Sequence, residues 1–259
     1  MSLSDEQAER YARHLILREI GGAGQRRLLD ARVLIIGAGG LGSPALLYLA
    51  AAGVGTIGIV DADTVSLSNL QRQIAHGTGD LGRPKVESAA RAALNINPDI
   101  TIEANPVRLD AANAAAIIGR YDIVADGCDN FETRFLINDV CFRLGKTLVS
   151  AAVGEFDAQI ATYKAHQRAA DGGQLYPCYR CLFPHPPEPG TVPTCTEAGV
   201  IGALTGVAGS LQALEVIKEI TGAGTSLAGR LLLFDGLGMQ ARTVTLKPDP
   251  NCPLCAMPN

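Results

Sequence analysis

Four of the seven cysteines fall into two C-x-x-C pairs, Cys178-Tyr-Arg-Cys181 and Cys252-Pro-Leu-Cys255. Four thiolates at that spacing suit a tetrahedral zinc ion with no open position, which is a structural rather than a catalytic arrangement. Cys252 follows Cys178 by 74 residues, so one ion would staple the C-terminal tail to the segment near residue 180. Two unrelated redox or buried pairs are the alternative. A second signature lies nearer the N-terminus. Gly37-Ala-Gly-Gly-Leu-Gly42 fits G-x-G-x-x-G. Gly37, Gly39, Gly40 and Gly42 would permit a tight turn and let phosphate oxygens approach backbone N–H groups at a helix start. Asp61 follows Gly42 by 19 residues, where a carboxylate can take ribose hydroxyls. Without a ligand, the same glycines serve close strand–helix packing. The turn alone does not separate NAD from ATP.

Three charged residues extend the list. Arg72 and Lys85 follow the glycine turn at loop and helix-start positions, and Asp129 lies in Gly127-Cys-Asp-Asn130, just after an apolar run. Each has a plain alternative. Arg72 and Lys85 would be solvated surface charges, and Asp129 would cap the following helix. Asp126 would likewise cap or brace a strand end. Cys128 and Cys141 read as packing residues. The four histidines form no motif with ligand spacing.

The elements that must hold these residues alternate in type. Ser4 and Gln7 can form a capping box ahead of an amphipathic helix over 5–18. The apolar run Val33–Ile36, the glycine turn, an Ala/Leu-rich helix over 43–52 and the run Ile57–Val60 make a βαβ unit. Pro84 opens a helix over 84–95 as its first residue. Strands at Ile100–Ala104 and Asp122–Ala125, a helix over 131–144 and a strand at Thr147–Ala151 follow. The alternation predicts an α/β fold with a doubly wound, mostly parallel Rossmann-like sheet. Beyond it come an extended segment over 153–164, irregular sequence over 165–198 with the proline-rich run Pro184–Pro193, a helix over Gly199–Thr221, and strands over 230–235 and 240–247. The chain reads as a single domain, 1–259, with a helical arm over 1–30, a nucleotide-binding core over 31–152 and a C-terminal extension over 153–259 that carries the zinc site.

Trp is absent and aromatics make up 5% of the chain, so the core must be built from Ala, Leu, Ile and Val, which suits helices packed on a parallel sheet. The formal charge of −4 argues against a nucleic-acid binder. The first ten residues are polar and acidic, unlike a signal peptide. No apolar run reaches the roughly 18 residues of a membrane span. The chain therefore reads as cytoplasmic, where cysteines serve metals or redox chemistry rather than disulfides.

Taken in order, Gly37–Gly42, the string Ser66-Leu-Ser-Asn-Leu-Gln-Arg-Gln73, Pro84-Lys85, Asp126–Asn130 and the paired knuckles resemble the ThiF/MoeB/HesA family, bacterial relatives of the ubiquitin-activating enzymes. The resemblance runs from Tyr11 to Cys255. It implies a homodimer that binds ATP and Mg²⁺ and adenylates the C-terminal glycine of a ubiquitin-like sulfur carrier ending in Gly-Gly. By resemblance, Arg72 and Lys85 bind the phosphates, Asn69 and Gln73 lie near the ribose and phosphates, and Asp61 holds the ribose. Asp129 coordinates Mg²⁺, with Asn130 beside it. Residues 153–259 become the carrier-binding part with a crossover loop. On that loop Cys195, in Pro193-Thr-Cys-Thr-Glu197, matches a cysteine that links covalently to the carrier in some relatives. Arg13, on the N-terminal helix, would reach into the partner subunit's site. No rhodanese domain, which some relatives carry, is expected after the second knuckle.

The chemistry agrees with that implication. A carboxylate is a weak nucleophile toward the α-phosphorus of ATP, so an enzyme must align the two and offset the charge of the triphosphate. It needs no general base, because the attacking carboxylate is already ionised at neutral pH. The carrier would serve molybdopterin or thiazole synthesis, and the Ser66–Gln73 string looks slightly closer to MoeB. An NAD-dependent oxidoreductase shares the βαβ unit but gives no role to Arg72, Lys85, Asp129 and the knuckles. A nucleotide-binding module without catalysis is the other rival.

Overall fold

Five short segments become parallel strands: β1 (Arg32–Ile36), β2 (Thr56–Val60), β3 (Thr101–Asn105), β4 (Ile123–Asp126) and β5 (Thr147–Val153). All but β3, which is mostly polar and partly exposed, are rich in Val, Ile and Leu. Strands covered on both faces read as continuous apolar runs, and β1 shows it: Val33, Leu34 and Ile35 are at most 1% exposed. Three antiparallel strands, β6 (Asp157–Tyr163), β7 (Arg230–Asp235) and β8 (Gln240–Thr245), extend the same sheet. The order is β3-β2-β1-β4-β5-β6-β7-β8. This is a mixed α/β sheet. The computed structural model describes residues 3–169, 172, 174–188, 191 and 198–256.

The period of two sorts β1 between two cores. Val33 and Ile35 join Leu46, Leu49, Val86, Ala208 and Val216 on one face. These come from helices α4 (Gly42–Ala52), α5 (Lys85–Ile96) and α9 (Gly202–Thr221). Leu34 and Ile36 face Ile118, Phe135 and Ile137 on the other, from α6 (Ala114–Ile118) and α7 (Phe131–Arg143). Strand order reverses at β1, which lies between β2 and β4, with Ile36 in register with Asp126. The carboxyl ends of β1 and β4 thus open onto one crevice, the usual ligand position in such sheets.

The N-terminal arm differs from expectation. The Ser4–Gln7 capping box forms, but the helix over 5–18 is two pieces, α1 (Asp5–Arg10) and α2 (Ala12–Leu15), broken at Tyr11. Tyr11 turns inward to 2% exposure, and its hydroxyl accepts from Asn97 Nδ2 at 2.9 Å. A third helix, α3 (Gly21–Asp30), forms in a glycine-rich stretch with no helical signature, anchored by buried Gln25 and Leu28. Pro84 is the N-cap of α5 rather than its first residue. A short helix, α8 (Tyr179–Leu182), begins just after the first cysteine of the knuckle and carries the second. Among the described residues no helix is long and apolar enough to cross a membrane.

Candidate active site

The glycine turn is forced by geometry. Gly37 has φ +92°, which L side chains rarely adopt, and its N–H donates to Val60 O at 2.8 Å. The chain then doubles back so closely that a Cβ at Gly42 would collide with Gly37 O. No side chain caps the start of α4, and an uncapped helix N-terminus is a ready anion site. Asp61 closes the turn from β2: its Oδ2 accepts from Ala38 N at 2.8 Å and its Oδ1 from Asp63 N at 2.9 Å.

The Ser66–Gln73 string forms a 3-10 turn at Leu67–Asn69. Asn69 Oδ1 accepts from Ser66 N at 3.2 Å, and Gln73 N donates to Asn69 O at 2.9 Å. That fold drives Gln73 inward, to 4% exposure, with Nε2 3.7 Å from the point a Cβ on Gly39 would occupy. Among the described residues, Gln73 Oε1 is buried without a hydrogen-bond partner, and so is Ser43 Oγ in the first turn of α4. Buried polar atoms seldom stay unpaired, so both fit a polar ligand in this turn. Arg72, half-buried, donates from Nη1 to Ser68 O at 3.1 Å. Lys85 is not a solvated surface charge. Its side chain is 8% exposed and its Nζ meets Asp63 Oδ2 at 2.8 Å.

The turn after β4 abuts the glycine turn, since a Cβ on Gly37 would lie 3.0 Å from Gly127 O. Asp129 is exposed there. It does not cap α7. Asn130 does, with Oδ1 accepting from Thr133 N at 2.8 Å. Asp126, fully buried, accepts from Cys128 N at 3.0 Å and from Ser150 Oγ at 2.8 Å. Arg134 Nη2 reaches the carbonyls of Cys128 and Ala151 at 2.8 and 2.9 Å. Burial opposes its charge, and the Asp126 carboxylate together with Cys128 and Tyr179 more than offsets that, so Arg134 stays protonated. Burial, and then the Asp126 charge, push the Cys128 thiol well up, which fits a packing role. Cys141 is likewise buried and raised.

The structure therefore gathers Gln73, Lys85, Asp61 and the Asp129 turn around Gly37–Gly42, with Arg72 beside Gln73. Two sequence candidates are not joined to them. Arg13 is exposed on α2, and Cys195 lies outside the described residues. Two buried residues went unassigned in the sequence: Arg134, inside a run that reads as plain helix, and His76, whose ring touches the glycine turn. Neither spacing nor composition signals them. The four knuckle sulfurs, Cys178, Cys181, Cys252 and Cys255, all lie within 4.8 Å of one another. Cys178 and Cys252 are buried, among Ala165 and Leu254.

The chain is 48% identical over 255 residues to the sulfur carrier protein adenylyltransferase of Thermus thermophilus, covering 98% of this chain and 93% of that protein. It is 47% identical over 255 residues to the SAMP-activating enzyme E1 of Haloferax volcanii, covering 98% and 91%. Among solved structures, E. coli MccB with MccA-N7isoASN has the same fold, with a TM-score of 0.81 at 22% identity over 95% of this chain and 74% of that one. Residues 11–254 match the model of the ThiF family, and the chain belongs to that family.

Proposed function

We propose that this chain is a nucleotidyltransferase that activates a ubiquitin-like sulfur carrier protein, adenylating the carrier's C-terminal glycine with ATP. The observation that carries the reading is the unpaired, buried Oε1 of Gln73 beside an uncapped, glycine-lined helix start. A carboxylate oxygen of the carrier attacks the α-phosphorus, the bond to the β-phosphate oxygen breaks, and pyrophosphate leaves with the electron pair. No proton moves. Lys85 and Arg72 offset the triphosphate charge, Asn69 and Gln73 orient it, and Asp61 takes the ribose. Asp129, exposed and free of capping duty, would hold Mg²⁺, which neutralises phosphate charge. The relatives named above, an adenylyltransferase and an activating enzyme, support this reading over an oxidoreductase or an inert nucleotide module.

The knuckles would hold one structural Zn²⁺, because four sulfurs this close match a closed thiolate set. The carrier would end in Gly-Gly and belong to molybdopterin or thiazole synthesis, with a MoeB-like role slightly favoured. A homodimer suits an apolar groove of about 310 Å³ between α4 and α9, lined by His14, Tyr48, Ala52, Ala213, Leu214 and Ile217. The test is ATP–pyrophosphate exchange with a Gly-Gly carrier. Exchange that requires the intact carrier terminus is the expected result. Tight NAD binding without ATP binding would overturn the reading.

A further inference from the structure

Three separate segments supply the groups that the proposed reading places on the phosphates: the glycine turn, the string bearing Arg72 and Gln73, and the start of α5 bearing Lys85. One buried residue is bonded to all three, through its ring and its backbone. His76, 7% exposed, follows the string, and its backbone N–H donates to Gln73 O at 3.1 Å. Its ring Nε2 lies 2.9 Å from Ala38 O in the glycine turn, and its Nδ1 lies 2.9 Å from Ser88 Oγ on α5, one helical turn beyond Lys85. We infer that His76 is a positioning residue for adenylation, an internal strut that fixes the turn, the Arg72–Gln73 string and the Lys85 helix in one register.

The ring's protonation follows from its partners. A carbonyl only accepts, so Nε2 carries a proton and donates to Ala38 O. Burial lowers the basicity of His76, which leaves one proton on the ring at neutral pH. The Ser88 hydroxyl has one proton, which it donates to Asp80 Oδ2, so Nδ1, 2.9 Å from Ser88 Oγ, shares that proton with the carboxylate rather than taking it alone. Asp80 steadies that hydroxyl: its Oδ2 lies 2.8 Å from Ser88 Oγ and accepts from Gly77 N at 2.9 Å, while Arg91 pairs with its Oδ1. Ala38 is thereby held on both sides. Its N–H donates to Asp61 and its carbonyl accepts from His76. Without the imidazole, Ala38 O would be a buried acceptor with no donor, and the turn would be free to shift.

The inference rests on the ATP-site reading, and kinetics of the full chain separate the two. In ATP–pyrophosphate exchange with a Gly-Gly carrier, His76→Leu should raise KM for ATP about tenfold, the size expected for one lost buried hydrogen bond. KM for the carrier should stay unchanged. His76→Gln, which keeps an N–H donor at similar reach, should restore ATP KM to within about threefold of wild type on the same scale. Ser88→Ala, a smaller lesion, should raise ATP KM in the same direction and serves if the Leu variant does not fold. Wild-type ATP KM in Ser88→Ala and His76→Leu would overturn the inference alone. So would a Gln variant as impaired as Leu, since the ring would then act by packing. A wild-type protein that binds no ATP would overturn the site reading and this inference with it.

Discussion

Arg134 Nε lies 3.4 Å from Asp126 Oδ2, with the two side chains 9% and 0% exposed. This buried pair sits under the turn that presents Asp129, and Arg134 also ties the Cys128 carbonyl to Ala151. Removing one partner leaves an uncompensated buried charge. Arg134→Leu should destabilise the fold by about 3–5 kcal/mol. Urea unfolding followed by circular dichroism measures it. A loss below about 1 kcal/mol would place the pair among surface-like ion pairs.

Asp129 and Asn130 are neighbours with separable duties. Asp129 makes no capping bond, so Asp129→Ala should abolish pyrophosphate exchange while leaving the melting temperature unchanged. Asn130 caps α7, so Asn130→Ala should cost about 1 kcal/mol of stability. Exchange and thermal melts on both variants check the pair. Near wild-type exchange in Asp129→Ala would remove it from the metal site.

The knuckles should carry one zinc ion per chain after purification without added metal. Cys252→Ser should lose the ion and loosen the attachment of the tail to α8, because metal binding and folding are linked. Elemental analysis and limited proteolysis read the two effects. A zinc-free protein with a protease-resistant C-terminus would contradict the assignment.

What was legible in the sequence had short-range signals. The strands β1, β2, β4 and β5 announced themselves as apolar runs, and the glycine turn was visible because backbone geometry dictates residue type there. The knuckles were legible by spacing. The helical arm was not, because Tyr11 carries the periodicity of an amphipathic helix yet is drawn into its own chain by Asn97, a partner 86 residues away. Helix α3 was hidden by its glycines, whose low intrinsic propensity is overridden by the burial of Leu28 and Gln25. His76 and the Asp126–Arg134 pair depend on contacts between distant segments, and no local pattern encodes those.

The site should also be completed across a dimer, with Arg13 supplied by the other subunit. On the sequence alone, Tyr11, Leu15 and Ile16 form the apolar helix face that a second subunit could cover. Tyr11 belongs to the chain's own core, whereas Ile16, just after α2, is 74% exposed. Nearby, Tyr48 and Leu214 are 58% and 54% exposed and line the groove between α4 and α9 with His14, the residue next to Arg13. An exposed apolar patch of this kind marks an interaction surface, and a two-fold dimer would cover it with the same patch from its partner. Arg13, exposed beside that patch, would then cross the interface and stabilise the triphosphate much as an arginine finger does. Complementation decides the matter. Arg13→Ala and Asp129→Ala, each expected to be inactive alone, are mixed under conditions that allow subunit exchange. If Arg13 acts in trans, the mixed dimer carries both lesions in one site and none in the other, so activity returns to at most about half per mixed dimer. If it acts in cis, every site holds one lesion and the mixture stays inactive. An inactive mixture with heterodimers demonstrated by mass spectrometry would rule out the shared site, as would a fully active monomer.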